Sequence, residues 1–303
     1  MVVSKIISIG DEILIGQIVN TNASYISEKL YSIGIPVERI VSIGDTEEAL
    51  LNELEDSHKN FDVTVITGGL GPTHDDITKP ILVKYFNDEL ISDDKVLKHV
   101  KSIFQNRNIE MPDVNYEQAL IPKKSKVIWN ENGTAPGIWI ENSEKVFIAL
   151  PGVPYETEAM MTETVLLMLK EKFKKKINYI LKSRTLLTTG IGESSLAEMI
   201  GDVKSIVGEN KMAFLPTFYG VRIRIDVKGS SLLNVEKILN NIERSLRNKI
   251  GNYIFGVDDD LLESKVGEIL LNNDLTIAVA ESCTGGLLAS KITDISGSSK
   301  YFK

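Results

Sequence analysis

The chain has 303 residues, 43% of them hydrophobic and 25% charged, with 34 Lys and Arg against 42 Asp and Glu for a net charge of −8. That length suits two or three domains, and the acidic balance argues against nucleic acid as the partner of the whole chain. No uninterrupted apolar run approaches the ~20 residues of a membrane span, and the opening MVVSKII lacks the basic start and long apolar core of a signal peptide. Cys283 is the single cysteine, so an internal disulfide framework is excluded and a cytoplasmic enzyme is expected.

Residues 2–9 read as a strand that runs into the turn Gly10-Asp11-Glu12. A helix over 21–32 follows, with Ala23, Ile26, Leu30 and Ile33 at helical spacing. A second strand, 37–43, ends at Gly44-Asp45-Thr46, and a helix over 47–57 leads to the central strand, 63–67. That strand is an apolar, β-branched run with the density of one buried on both faces. It breaks into Gly68-Gly69-Leu70-Gly71-Pro72, and Thr73, Asp75 and Asp76 precede another helix-like segment. Glycines let backbone approach a phosphate, and the free amides of a helix start point at it. Asp75 and Asp76 would repel a bare anion but suit a divalent cation placed between them and the phosphates. The plainer reading is a glycine turn with Asp75 or Asp76 as N-cap. The βαβ alternation predicts a parallel sheet covered by helices, with ligands at the carboxyl ends of its strands. Asp11, Asp45, Asp75 and Asp76 all fall just after such strands.

Residues 94–107 read as a surface helix, and Pro112, Pro122 and the lysines of 123–126 as loops crossing the rim. Two short strands, 126–129 and 138–140, flank Gly133-Thr134-Ala135-Pro136-Gly137. A last strand, 145–150, enters Pro151-Gly152-Val153-Pro154-Tyr155-Glu156 and a helix to about residue 170. Pro154 and Glu156 suit a helix start, where Glu156 at the least offsets the dipole.

GDEIL at 10–14, NTN at 20–22, TGGLGPTHDD at 67–76, NGTAPG at 132–137 and LPGVPYE at 150–156 together resemble the CinA family of competence/damage-inducible proteins. The resemblance implies that residues 1–170 form a three-layer α/β domain similar to the molybdopterin-binding proteins MogA and MoeA. It further implies hydrolysis of the pyrophosphate of ADP-ribose with a divalent cation (Mg, Mn or Co). Asp45 and Asp76 would then be the metal-holding and catalytic acids, joined in catalysis by Asp75 and Glu156. Gly10, Asp11, Glu12, Asn20, Gly68, Gly69, Gly71 and Gly152 would bind substrate, in a chain expected to be a homodimer. Two alternatives stay open: a molybdopterin-binding or transferase role on the same fold, and a non-enzymatic competence or damage accessory.

Residues 171–257 read as a small α+β module. From 170 to 249 there are 16 Lys and Arg against 8 Asp and Glu, a local balance opposite to that of the rest. Residues 211–215 and 221–227 read as a β pair, and 234–249 as an amphipathic helix. The resemblance implies a KH-like domain, yet no GxxG loop lies at its helix turn, so only weak, salt-sensitive contacts with RNA are expected.

Residues 258–303 read as the start of a third α/β module: a helix over 261–272, a strand over 276–280, and a second helix opened by Glu281-Ser282-Cys283-Thr284-Gly285-Gly286. Cys283 reads as a small buried residue. AESCTGG resembles the nicotinamide mononucleotide deamidase domain of the same family, which implies Ser282 as nucleophile with Thr284, Gly285 and Gly286 binding substrate. The tyrosine and lysine partners of that domain fall after Phe302. The module therefore reads as incomplete, from a fragment or from a lost domain, and the chain as given is expected not to deamidate the mononucleotide.

Overall fold

The computed structural model describes residues 1–73 and 76–303, in two compact units, Met1–Asn178 and Tyr179–Lys303.

The first unit opens with β1 (Ser4–Ile9), the single turn α1 (Asp11–Leu14), α2 (Thr21–Ser32), β2 (Val37–Ile43), α3 (Glu47–Asn60) and β3 (Val63–Thr67). Then come α4 (Thr78–Tyr85), β4 (Leu90–Ser92), α5 (Asp94–Asn106), a 3-10 helix (Asp113–Ala119) and β5 (Leu120–Pro122). The unit closes with β6 (Lys126–Ile128), β7 (Gly137–Asn142), β8 (Lys145–Leu150), α6 (Pro154–Met160), a π turn (Met161–Val165) and α7 (Leu166–Phe173). The main sheet runs β2-β1-β3-β8-β7-β6. β2, β1, β3 and β8 are mutually parallel, and β7 and β6 are added antiparallel. The parallel core is the one that the βαβ alternation predicts. Its antiparallel margin has a local cause: Asn142 pairs with Lys145 across a two-residue turn that holds Ser143 at φ 57°, and such a turn folds a chain back on its neighbour.

β1 and β3 are buried along their whole length, their polar Ser4, Lys5, Ser8, Thr64 and Thr67 included, because they are central strands of a sheet covered on both faces. On one face Ile6, Val65 and Ile148 pack against Ile26 and Leu30 of α2, Met160 of α6 and Leu169 and Phe173 of α7. On the other face Ile7, Ile66 and Phe147 meet Leu50 and Leu54 of α3 and Ile81 and Leu82 of α4. Helix, sheet and helix make three layers. Lys5, with no exposed surface, is held by Asp56 at 2.5 Å and by Glu53.

β4 and β5 form a separate two-stranded ribbon beside α5 and the 3-10 helix. The stretch around Pro112 and Pro122, read as loop, is thus partly ordered as helix and strand; three-residue strands are too short to register a period of two. Lys123 and Lys124 do not lie free, because they are held by Glu89 and by Asp88.

Glu141 fastens the margin of the sheet. Its carboxylate accepts from Lys126 (2.8 Å) on β6, Lys172 (2.6 Å) on α7 and the Trp139 indole (2.9 Å). These donors, Lys126 foremost, hold its carboxyl down at about 2. A lowered carboxyl contributes stability above its ordinary pKa of 4.5 and loses that contribution as pH falls toward about 2. Glu141→Gln is therefore expected to cost about 1 to 2 kcal/mol at pH 7, a figure reduced for its partial exposure. Urea unfolding at pH 7 and pH 3 checks it, the gap between wild type and variant narrowing at the lower pH.

The second unit contains β9 (Ile180–Thr188), α8 (Glu193–Ile200), α9 (Val203–Val207), β10 (Lys211–Thr217), β11 (Gly220–Gly229), α10 (Leu232–Ile250) and β12 (Ile254–Val257). Its strands form an antiparallel sheet in the order β10-β11-β9-β12. Val235, Leu239, Ile242, Leu246 and Ile250 make one stripe along α10 and pack on Leu186, Ile223 and Ile225 of the sheet. Much of the local basic charge is paired: Arg184 reaches Glu236 and Glu243 at 2.8 Å each, and Arg247 reaches Glu243 at 2.7 Å.

Helices α11 (Leu262–Asn272) and α12 (Leu287–Thr293) follow. Two expectations fail here. Residues 276–280 form no strand, only an isolated bridge between Ile277 and Phe302, because a strand needs a continuous partner and the sheet of this unit ends at β12. Cys283 is exposed, not buried, since it sits in the turn before α12.

Candidate functional site

The carboxyl ends of β1, β2, β3 and β8 place four loops side by side. Gly10 follows β1 and donates its amide to Ile43 at the end of β2 (3.1 Å). The Asp11 amide donates to the Asp45 carboxylate at 3.0 Å, which ties the turn after β1 to the turn after β2, and the Glu12 carboxylate folds back over Gly10. Asn20 caps α2 through the Ala23 amide (3.1 Å) and donates to the Ser8 hydroxyl (2.8 Å).

The glycine turn is braced from three directions. Gly68, at φ 105°, lies so close to β1 that a Cβ would run into the Ile9 carbonyl. Its own amide donates to Leu150 at the end of β8 (3.1 Å), and its carbonyl accepts from the Thr78 hydroxyl (2.8 Å). Gly69, at φ 65°, accepts from the Thr78 amide (3.0 Å). The Asp76 carboxylate accepts from the Gly71 amide (2.7 Å), the Thr73 amide (2.8 Å) and the Thr73 hydroxyl (2.6 Å). Of the three glycine amides, those of Gly68 and Gly71 are thus spent within the protein, while that of Gly69 makes no hydrogen bond among the described residues. Asp75 lies outside the described residues.

Gly152 is reached from α2: Asn22 donates to its carbonyl (2.8 Å) and to the Thr67 hydroxyl (3.1 Å). The other polar side-chain atom of Asn22, its Oδ1, is buried with no partner among the described residues. Glu156 is buried in the first turn of α6, where it accepts from Asn130 at 2.8 Å. Asn130 also donates to Ala135 (2.9 Å) and accepts from the Asn132 amide (3.1 Å), so Glu156 steadies the 132–135 loop through Asn130. That is more than dipole compensation. Sequence reasoning missed Asn22, Thr67, Thr78 and Asn130, although Asn22 lies within the NTN motif.

In the second unit the turn before α12 holds Gly285 and Gly286 at φ 59° and 90°. Ser282 and Thr284 are exposed, and the Gly285 amide donates to the Ser282 carbonyl (3.1 Å). The amides of Leu288 and Ala289 donate to the Glu281 carboxylate (3.0 and 2.8 Å). Hydrogen bonds, first among them that from Ala289, hold the Glu281 carboxyl below its usual range. Lys291 pairs with Glu263 (3.2 Å) and lies over the Tyr219 ring, so its ammonium is committed there.

Three family models tile the chain: a "Probable molybdopterin binding domain" over 5–171, the damage-inducible protein CinA KH domain over 183–256 and the CinA C-terminal domain over 259–303. A CinA-like protein of Chloroherpeton thalassium is 42% identical over 304 residues, covering 99% of this chain and 71% of that protein. The chain belongs to the CinA family. A competence-damage inducible protein of Caldicellulosiruptor bescii is likewise similar to this CinA-family chain, with 42% identity over 99% of the chain and 72% of that protein. The crystal structure of CinA, of unknown function, from Thermoplasma acidophilum matches 56% of the chain and 97% of that structure, at 32% identity and a TM-score of 0.50. The first unit of this CinA-family chain accordingly has the fold of that molybdopterin-binding-type domain, shared with the CinA structure. Among the described residues, none of its helices is long and apolar enough to cross a membrane.

Proposed function

We propose that the first unit hydrolyses the pyrophosphate bond of ADP-ribose, giving AMP and ribose 5-phosphate, with the help of a divalent cation. The observation that carries this reading is the Asp45 carboxylate, held by the Asp11 amide, beside a glycine turn closed by Asp76, at the carboxyl edge of a parallel sheet.

A cation at this edge is tested by the donors present. Among the described residues no three His, Cys, Asp or Glu side chains cluster as a ready-made metal cage. Magnesium-type ions are commonly held by one or two carboxylates and completed by substrate phosphates, and Asp45 and Asp76 fit that mode. A carboxylate offers about four lone-pair positions, so Asp76 keeps one after its three internal bonds. When bound, such an ion neutralises developing phosphoryl charge and lowers the pKa of water.

The chain's own residues supply the rest. The Gly69 amide is available to a phosphate oxygen, and the bracing by Thr78 and Asn22 keeps it aimed without rearrangement. Asp11, Glu12 and Asn20 line the entrance after β1, and Glu156 acts through Asn130 on the 132–135 loop. The assay is AMP release from ADP-ribose with Mg, Mn and Co varied. Absence of turnover with every metal defeats the reading.

The description of the family model over 5–171 favours a second reading, in which the same edge binds a molybdopterin. Titration of the chain with molybdopterin, beside the AMP assay, separates the two. For the second unit we infer that Ser282 holds the position of the nucleophile for deamidation of nicotinamide mononucleotide, with Thr284, Gly285 and Gly286 around the substrate, but that this chain by itself releases no ammonia from it. A serine hydroxyl is weak until a base takes its proton, and Lys291 is engaged elsewhere. Ammonia release from the mononucleotide tests this.

A further inference from the structure

Lys79, in the first turn of α4, is only 7% exposed. Its ammonium donates to the Glu117 carbonyl at 3.0 Å, and among the described residues it has no ion-pair partner. Burial lowers its pKa to about 8, against the opposing pull of the Glu117 and Asp76 carboxylates. Gln118, next in the chain to that carbonyl, has no exposed surface, and among the described residues neither its amide nitrogen nor its oxygen has a hydrogen-bond partner. A buried ammonium in direct contact with no carboxylate among the described residues and a buried carboxamide with no partner among them are both costly, and a fold keeps such groups where something else completes them.

Their place in the fold points to what that is. Thr78, the neighbour of Lys79, clasps Gly68 and Gly69 of the glycine turn, and Asp76 closes that turn three residues earlier. The ammonium has two N–H bonds left after Glu117, and the Gln118 amide has two more. Water could accept some of them but would leave the charge uncompensated. A phosphate is acceptor-rich and anionic, and so answers both needs. We propose that Lys79 and Gln118 form an anion-holding pair that takes a phosphoryl group of a diphosphate ligand bound at the glycine turn. The pair rests on the reading of that turn as a diphosphate site. Because Gln118 is fully covered, entry requires the 3-10 helix Asp113–Ala119 to part from α4.

The test is calorimetric titration of the whole chain with inorganic pyrophosphate, without added metal, for wild type, Lys79→Met, Gln118→Leu and Gln118→Glu, alongside thermal melting. Lys79→Met and Gln118→Leu are expected to weaken binding at least tenfold while melting no lower than wild type, since each removes an uncompensated buried group. Gln118→Glu, nearly isosteric but anionic, is expected to abolish binding. The pair is overturned if wild type binds no pyrophosphate, if Lys79→Met or Gln118→Leu binds as wild type does, or if binding persists in Gln118→Glu. A variant that melts lower with unchanged affinity assigns the residue to the fold alone. Binding is read without turnover, so pyrophosphate affinity that depends on Lys79, in a chain that does not cleave ADP-ribose, would sink the proposed reaction and leave the pair standing.

Discussion

Asp76→Ala is expected to slow ADP-ribose hydrolysis by about two to three orders of magnitude, the scale on which single electrostatic contributors to a transition state act. Two effects combine. The substitution removes one of the two carboxylates assigned to the cation, and it strips the Gly71 and Thr73 amides of their acceptor. Asp76→Asn separates them, because its carbonyl oxygen keeps at least one of those bonds while the charge is gone. Turnover numbers and melting temperatures of both variants make the check. Comparable loss of rate in Ala and Asn, with Asn melting close to wild type, assigns the effect to charge. If Asn keeps more than a tenth of the rate, the metal-holding role of Asp76 is wrong.

Gly68→Ala should be the most damaging single methyl group in the first unit. At φ 105° an L-residue is strained by about 1 to 3 kcal/mol wherever it sits. Here the methyl would also meet the Ile9 carbonyl, a backbone group on the buried strand β1 that cannot swing aside. The total expected is about 3 to 5 kcal/mol, in the range of severe core lesions. Gly16→Ala is the control, since Gly16 has φ 73° but nothing within 4 Å of the added carbon. It should cost only about 1 kcal/mol. Urea unfolding of both variants decides, and equal costs would show that steric contact at Gly68 is relieved by movement of β1.

Most of the first unit was legible in the sequence because its signals are local. The run Val63–Thr67 is β-branched along its whole length, and it forms the strand read there, residue for residue. Helix Thr21–Ser32 likewise carries its apolar stripe at helical spacing. The antiparallel strand β7 was not legible as such, since its direction depends on a turn at Ser143 with none of the usual turn glycines. Residues 276–280 mislead in the opposite way: local β character is present but continuous pairing is not. At the site, Asp11, Asp45 and Asp76 could be found because each follows a strand. Asn22 could not be given its role, since its partner Gly152 lies 130 residues away. Glu156 was noticed for its helix position, yet its working contact is with Asn130, 26 residues earlier, in another loop. Lys79 and Gln118 carry no sequence signal at all beyond their polarity, and only burial singles them out.

The π turn at Met161–Val165 means that the last helical stretch of the first unit carries one residue more than an α-helical repeat accommodates. The surplus is taken up on the outside, at Thr162 and Glu163, while Met161 and Val165 stay buried on either side of it. Leu166, Leu169 and Phe173 therefore face the sheet as they would in an uninterrupted helix. The stretch behaves as a healed insertion. A chain shorter by one residue at 162 or 163 could close into plain α-helix and keep the same side chains against the core, so chain length at this point is free to vary by one where the register around it is not.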